Sequence, residues 1–146
     1  MSGIFIVGAK RTPFGAFGGK LKGISATDLS VHASKAAIAH ANLSPDLIDA
    51  SFVGNVITSS LDAAYLSRHV HLKSGAPVKN PALTINRLCG SGFEVVALAA
   101  ESIKLGDSRV VLASGTENMS QAPMVLDGLS TRFGTPLGKG IKVIAE

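Results

Sequence analysis

Cys89 is the one cysteine of the chain and stands in the run Asn86-Arg87-Leu88-Cys89-Gly90-Ser91-Gly92, directly ahead of a segment that is apolar almost all round. If that segment is a helix, the sulfur lies at its N-terminus. Unpaired backbone N–H groups and the positive end of the helix dipole there favour thiolate over thiol, and Arg87 adds to the same field. The N–H groups can also hold a developing oxyanion on a bound thioester. Gly90 and Gly92 leave a substrate chain room to approach the backbone. Nucleophile and electrophilic support would then come from one turn. The competing reading is that Cys89 is a small buried hydrophobe, since free cysteine is among the most buried residue types.

Other residues compete for a chemical role. Gly90 and Gly92 before a helix, with Glu117 after the following strand as a ribose acid, fit part of a dinucleotide-binding turn, but the third glycine of that fingerprint falls on Val95. Gly15, Gly18, Gly19 and Lys20 suggest a phosphate loop, yet the spacing is one residue short and Leu21 stands where Ser or Thr belongs, so a surface loop is expected. His32, His40, His69 and His71 lack a supporting motif and read as solvated or core positions. Glu117 reads more readily as a structural carboxylate holding loop N–H groups than as a catalyst.

Periodicity and punctuation predict the helices and strands that carry these residues. Ile4–Ala9 reads as a first buried strand, and Ser25 with Asp28 resembles a capping box before a helix over 29–41. Ser44-Pro45-Asp46 opens a single turn, and a second strand is expected over 51–57. A helix over 63–72, an extended loop over 75–81 and a short strand over 82–85 follow. The spacing predicts a helix over 91–105, stopped by Gly106 and buried on most sides, then a strand over 109–113. This alternation predicts an α/β fold, a parallel or mixed sheet with helices on both faces. From Asn118 to Glu146 the glycines and prolines leave no sustained period, so an irregular tail is expected.

Composition bounds the function. In 146 residues, 46% are hydrophobic and 16% charged, enough apolar surface for one core and no case for disorder. No apolar run approaches the ~18 residues that cross a bilayer, and Met1 to Lys10 does not read as a secretory signal. One cysteine allows no internal disulfide and no cysteine metal cage, which suits a reducing compartment. The net charge of +4 is scattered rather than striped, which argues against nucleic acid as partner.

Three runs together resemble a known family. Ala9-Lys10-Arg11-Thr12-Pro13-Phe14-Gly15, then Leu83-Thr84-Ile85-Asn86-Arg87-Leu88-Cys89-Gly90-Ser91-Gly92, then Gly115-Thr116-Glu117-Asn118-Met119-Ser120-Gln121-Ala122-Pro123 look like the thiolases, nearest to their mitochondrial 3-ketoacyl-CoA branch. The resemblance runs through the whole chain and matches the N-terminal half of a thiolase. It implies residues 1–117 as a partial core domain and 118–146 as the start of the loop domain. The reaction implied is the β-oxidation step that cleaves 3-ketoacyl-CoA with coenzyme A, giving acetyl-CoA and a shortened acyl-CoA. Cys89 would be the nucleophile that carries the acyl thioester, with its backbone N–H at the oxyanion. Coenzyme A enters as substrate, and no permanently bound cofactor and no metal are implied. A homo-oligomer, dimer or tetramer, is implied, with Ala82 to Asn86 near the subunit interface. The compartment implied is the mitochondrial matrix; the cytoplasm is the alternative, because an Arg-rich amphipathic leader is not seen. A complete thiolase is more than twice this long, and its activating histidine, second cysteine and second oxyanion histidine lie in the other half. The chain alone is therefore expected to be inactive, and a non-catalytic subunit that pairs with thiolase chains is the alternative to an enzyme.

Overall fold

Ser25 is extended and its hydroxyl accepts from the N–H of Asp28, and helix α1 runs Ala26–His40 behind this cap. The computed structural model describes residues 3–60, 63–131 and 143–145. A 3₁₀ turn at Pro45–Leu47, with proline at its first position, leads into strand β1, Ala50–Gly54. A second 3₁₀ turn, Ala63–Tyr65, precedes helix α2, Leu66–Lys73, and strand β2 is Ala82–Ile85. Helix α3, Ser91–Leu105, has the expected bounds and stops at Gly106, whose φ of 84° is one a side chain resists. Strand β3 is Val111–Gly115.

The three strands are parallel in the order β2-β1-β3, with Ser51 opposite Ala82 and Ala50 opposite Val111. Strand residues alternate between faces. Val53 packs with Ala26, Leu66 and Val70, and Ser114 bonds the Ser30 hydroxyl, so α1 and α2 cover one face. Gly54 meets Ser91 on the other, where α3 lies. This is the expected α/β sandwich, with helices on both faces. The central sheet is parallel throughout, and the antiparallel pairing belongs to a separate ribbon of β4, Met124–Leu126, with β5, Val143–Ala145. Val53 and Val70 are fully buried, and each such side chain contributes roughly 1.5–3 kcal/mol.

Several sequence expectations change. Ile4–Ala9 is not a strand and not buried: Phe5 and Ile6 are each 79% exposed. A strand exists only by its ladder, and among the described residues the sheet ends at β3, which has no neighbour on its outer side. The segment touches α1 instead, where Gly8 comes so close to the Ala37 carbonyl that a Cβ would lie 2.5 Å from it. Helix α3 is not buried on most sides either, since Ser91, Val95 and Ala99 face the sheet while Phe93, Val96 and Leu105 are exposed. One sheet can cover only one stripe of a helix. β1 ends before residue 57 because the N–H groups of Val56 and Ile57 go to the Glu117 carboxylate. β3 starts after residue 109 because those of Arg109 and Val110 go to the Asp49 carboxylate. The expected irregular tail instead holds a 3₁₀ turn at Met119–Gln121, the β4–β5 ribbon and a helical turn at Gly128–Thr131. Residues 132–142 of that tail lie outside the described residues.

Candidate active site

The start of α3 rests on the carboxyl ends of β1 and β3, and two glycines make that approach possible. A Cβ on Gly54 would lie 2.9 Å from the carbonyl carbon and oxygen of Ser91, and one on Gly115 would lie 3.5 Å from the Cα of Gly92. Contacts under 3.0 Å to backbone cannot be relieved by a rotamer change. Helix and sheet meet here closely enough that the chain entering α3 must turn sharply out of β2.

That turn is held by hydrogen bonds at Asn86, Arg87, Leu88, Gly90 and Ser91. The Asn86 Oδ1 accepts from the N–H of Leu88 at 3.0 Å. The N–H of Gly90 donates to the Arg87 carbonyl and that of Ser91 to the Leu88 carbonyl, both at 3.0 Å. The Ser91 hydroxyl accepts from the Arg87 N–H at 2.8 Å and donates to the Leu88 carbonyl at 2.7 Å. Between these bonds Leu88 takes a φ of 49°, a left-handed conformation that costs a branched side chain roughly 1–3 kcal/mol. Its side chain is 70% exposed, so packing does not hold it there.

Cys89 follows at the crest of the turn and is exposed, which removes the reading of it as a core side chain. The Gly90 and Ser91 N–H groups are engaged within the turn, whereas the N–H of Cys89 makes no bond there. Gly92 has nothing within 4 Å of where a Cβ would stand, while Gly90 is crowded by the Phe93 ring and the Arg87 carbonyl. Only one of the two expected glycines leaves room for an incoming chain. Arg87 forms an ion pair with Glu94 in the first turn of α3, so its charge near the thiol is shared with a carboxylate.

The other candidate residues are engaged elsewhere. Glu117 accepts from Asn55 Nδ2 at 2.9 Å, from the N–H of Val56 at 2.9 Å and from that of Ile57 at 3.2 Å. It is the structural carboxylate that its position suggests, with both oxygens engaged by N–H donors of the loop after β1. The glycine loop is a chain of turns, with Gly19 N–H on the Ala16 carbonyl and Gly18 N–H on the Ser120 hydroxyl. Asn118 is buried and donates to the Ile24 carbonyl at 2.6 Å, tying the third motif to the segment before α1. His71 is buried; because the Pro77 carbonyl can only accept, Nε2 donates to it at 2.9 Å, and Nδ1 is hydrogen-bonded to the Ser51 hydroxyl at 2.7 Å. His32 and His40 are exposed on α1. Among the described residues no group of three or more His, Cys, Asp and Glu could hold a metal ion.

A cleft of about 780 Å³ opens between residues 10–17, α1 around Ala33, the outer edge of β3 and residues 116–120 that follow it. It reaches α3 at Gly92, and Cys89 is not part of its lining. Gly54, Asn86 and Ser91 were not singled out by their sequence pattern. An Asn two residues before a left-handed position is the one local signal that marks them, since its side chain can bond the backbone two residues on.

Residues 4–142 match the family model described as "Thiolase, N-terminal domain". Human mitochondrial 3-ketoacyl-CoA thiolase is 52% identical over 143 residues, which is 98% of this chain and 36% of that relative. The acetyl-CoA acetyltransferase of Cupriavidus necator is 42% identical over 133 residues, 91% of this chain and 34% of that one. The crystal structure of the human mitochondrial enzyme in complex with CoA superposes with a TM-score of 0.89 at 54% identity, over 94% of this chain and 34% of that one. A thiolase from Ascaris suum in complex with coenzyme A superposes at 0.86 with 31% identity, over 97% of this chain and 35% of that one. The chain thus spans about a third of the length of these relatives.

Proposed function

The chain belongs to the thiolase family, and on that premise we propose that it supplies the nucleophile of a thiolytic acyl transfer, with Cys89 as the residue that carries the acyl group. The Cys89 thiolate attacks the 3-keto carbon of a 3-ketoacyl-CoA, and its backbone N–H bonds the oxygen as charge develops there. The bond between C2 and C3 then breaks, its electron pair leaves as the acetyl-CoA enolate, and that enolate takes up a proton. Coenzyme A attacks the thioester on Cys89 as its thiolate, releasing the shortened acyl-CoA and restoring the cysteine. The observation that carries this reading is an exposed cysteine on a hydrogen-bonded turn at the start of a 15-residue helix, with its own N–H left out of the turn.

The proposal extends to the assembly. Residues 1–117 form part of the core domain and 118–146 begin the domain that covers CoA. As the family resemblance implies, the general base for Cys89 and the acid for the enolate come from polypeptide outside residues 1–146; within these residues His71 is held in the core and Glu117 by loop N–H groups. Each such group contributes roughly 10² to 10⁴ in rate, so residues 1–146 alone are expected not to turn over. A homo-oligomer is the working form of the complete protein, and the mitochondrial matrix is its compartment, a reading supported by several relatives whose names call them mitochondrial. The test assays residues 1–146 with acetoacetyl-CoA and CoA, alone and mixed with a separately produced C-terminal part of a close thiolase. Turnover in the mixture, abolished by Cys89→Ala, is the expected result. Turnover that survives Cys89→Ala removes the nucleophile assignment, and Cys89-dependent turnover by residues 1–146 alone removes the assignment of base and acid to the other part.

A further inference from the structure

Resting on the reading of Cys89 as nucleophile, we infer that Ser91 is a positioning residue whose hydroxyl holds the turn that presents the thiol. Ser91 is 5% exposed, and its backbone is seated on the sheet through the close contact with Gly54. Its hydroxyl then reaches back across the turn and bonds both the Arg87 N–H and the Leu88 carbonyl. The residue these bonds constrain is Leu88, which sits in a left-handed conformation with its side chain in solvent. A strained conformation persists only where its surroundings over-determine it, and here the constraint comes from Ser91 on one side and the exposed Asn86 carboxamide on the other.

The path from sheet to thiol is short: Gly54 seats Ser91, Ser91 holds Arg87 and Leu88, and Leu88 directs Cys89. Without the hydroxyl, Leu88 relaxes toward ordinary φ values and carries Cys89 out of its exposed place at the start of α3, where an incoming electrophile reaches it. Two hydrogen bonds of ordinary net strength shift such a balance by roughly tenfold or somewhat more. Glycine at position 88 has no preference to overcome, so it should relieve the need for the hydroxyl.

The test follows iodoacetamide alkylation of Cys89 against pH in folded residues 1–146, with amide hydrogen exchange at Arg87 as a second reading. Ser91→Ala is expected to slow alkylation near neutral pH about tenfold and to speed Arg87 exchange by a similar factor. Adding Leu88→Gly to Ser91→Ala should recover most of the alkylation rate. A merely structural serine would lower the melting temperature and leave the alkylation profile of the folded protein unchanged, and that result overturns the inference. So does a failure of Leu88→Gly to restore the rate. If Ser91→Ala does not fold, Asn86→Ala removes the bond to the Leu88 N–H from an exposed site, and an unchanged alkylation profile there counts equally against the inference. Should wild-type Cys89 react no faster than a peptide thiol, the proposed function loses its nucleophile. The role of Ser91 in holding the turn then stands or falls on Arg87 exchange.

Discussion

Two loops leave the carboxyl ends of neighbouring parallel strands, and they use polar residues in opposite ways. Beyond β1, the chain at Asn55 to Ile57 turns around the Glu117 carboxylate, whose oxygens take up the Asn55 amide and two backbone N–H groups. Beyond β2, the chain at Asn86 to Ser91 turns around neutral groups, the Asn86 carboxamide and the Ser91 hydroxyl, and leaves Cys89 and its N–H out of the network. The charged loop is chemically closed, while the neutral one holds its backbone firmly and keeps a reactive atom available. A polar residue at the functional edge of a sheet is therefore a candidate for chemistry only once its partners are known.

The largest effect that sharpens this contrast is expected from Glu117→Ala. It strands the N–H groups of Val56 and Ile57 and the Asn55 amide, a loss of roughly 3 kcal/mol, or a melting temperature lower by about 10 °C. Alkylation of Cys89 in the folded protein should be unaffected, and a selective loss of thiol reactivity without a fall in melting temperature would reverse the roles given to the two loops. Gly54→Ala comes next, because its methyl group meets the Ser91 backbone at 2.9 Å and lifts α3 from the sheet. It should cost about 2 kcal/mol in a denaturant titration and, unlike Glu117→Ala, also slow the alkylation of Cys89.

A third, smaller effect sits at the opposite end of the sheet. The N–H groups of Arg109 and then Val110, bonded to Asp49, hold its carboxyl below the ordinary value. A carboxylate depressed on folding adds stability above its unfolded pKa and loses it as the pH falls through its folded one. Asp49→Asn should therefore lower stability at neutral pH by about 1 kcal/mol and flatten the acid limb of a melting-temperature profile, without touching Cys89. An unchanged acid limb would show that these bonds carry no linked proton. The smallest effect is expected from Gly92→Ala, where nothing crowds a new methyl group. Stability should stay within about 0.5 kcal/mol, while labelling of Cys89 by an acyl-CoA analogue falls; equal labelling would show that the open space at Gly92 is not the approach path.

Much of this was legible in the sequence where the signal was local. The bounds of α3, its stop at Gly106 and the serine cap of α1 depend on residues within a turn of one another, and each stands where its pattern put it. Cys89 at a strand-to-helix junction was legible for the same reason. Ile4–Ala9 has a strand's composition and, among the described residues, no strand's partner, and composition alone cannot supply a ladder.

Local pattern is thus enough to say which segments are helix or strand-like, that they alternate, and where the one thiol falls among them. Which donors and acceptors are already taken is settled by packing. Glu117 is matched to a loop some 60 residues earlier in the chain, and Ser91 is seated by a glycine on another strand. A helix cap is specified within a few residues, so one stretch of sequence contains both partners. A closed carboxylate and a close helix-to-sheet contact each join distant segments, and their pairing exists only when packing brings the backbones together.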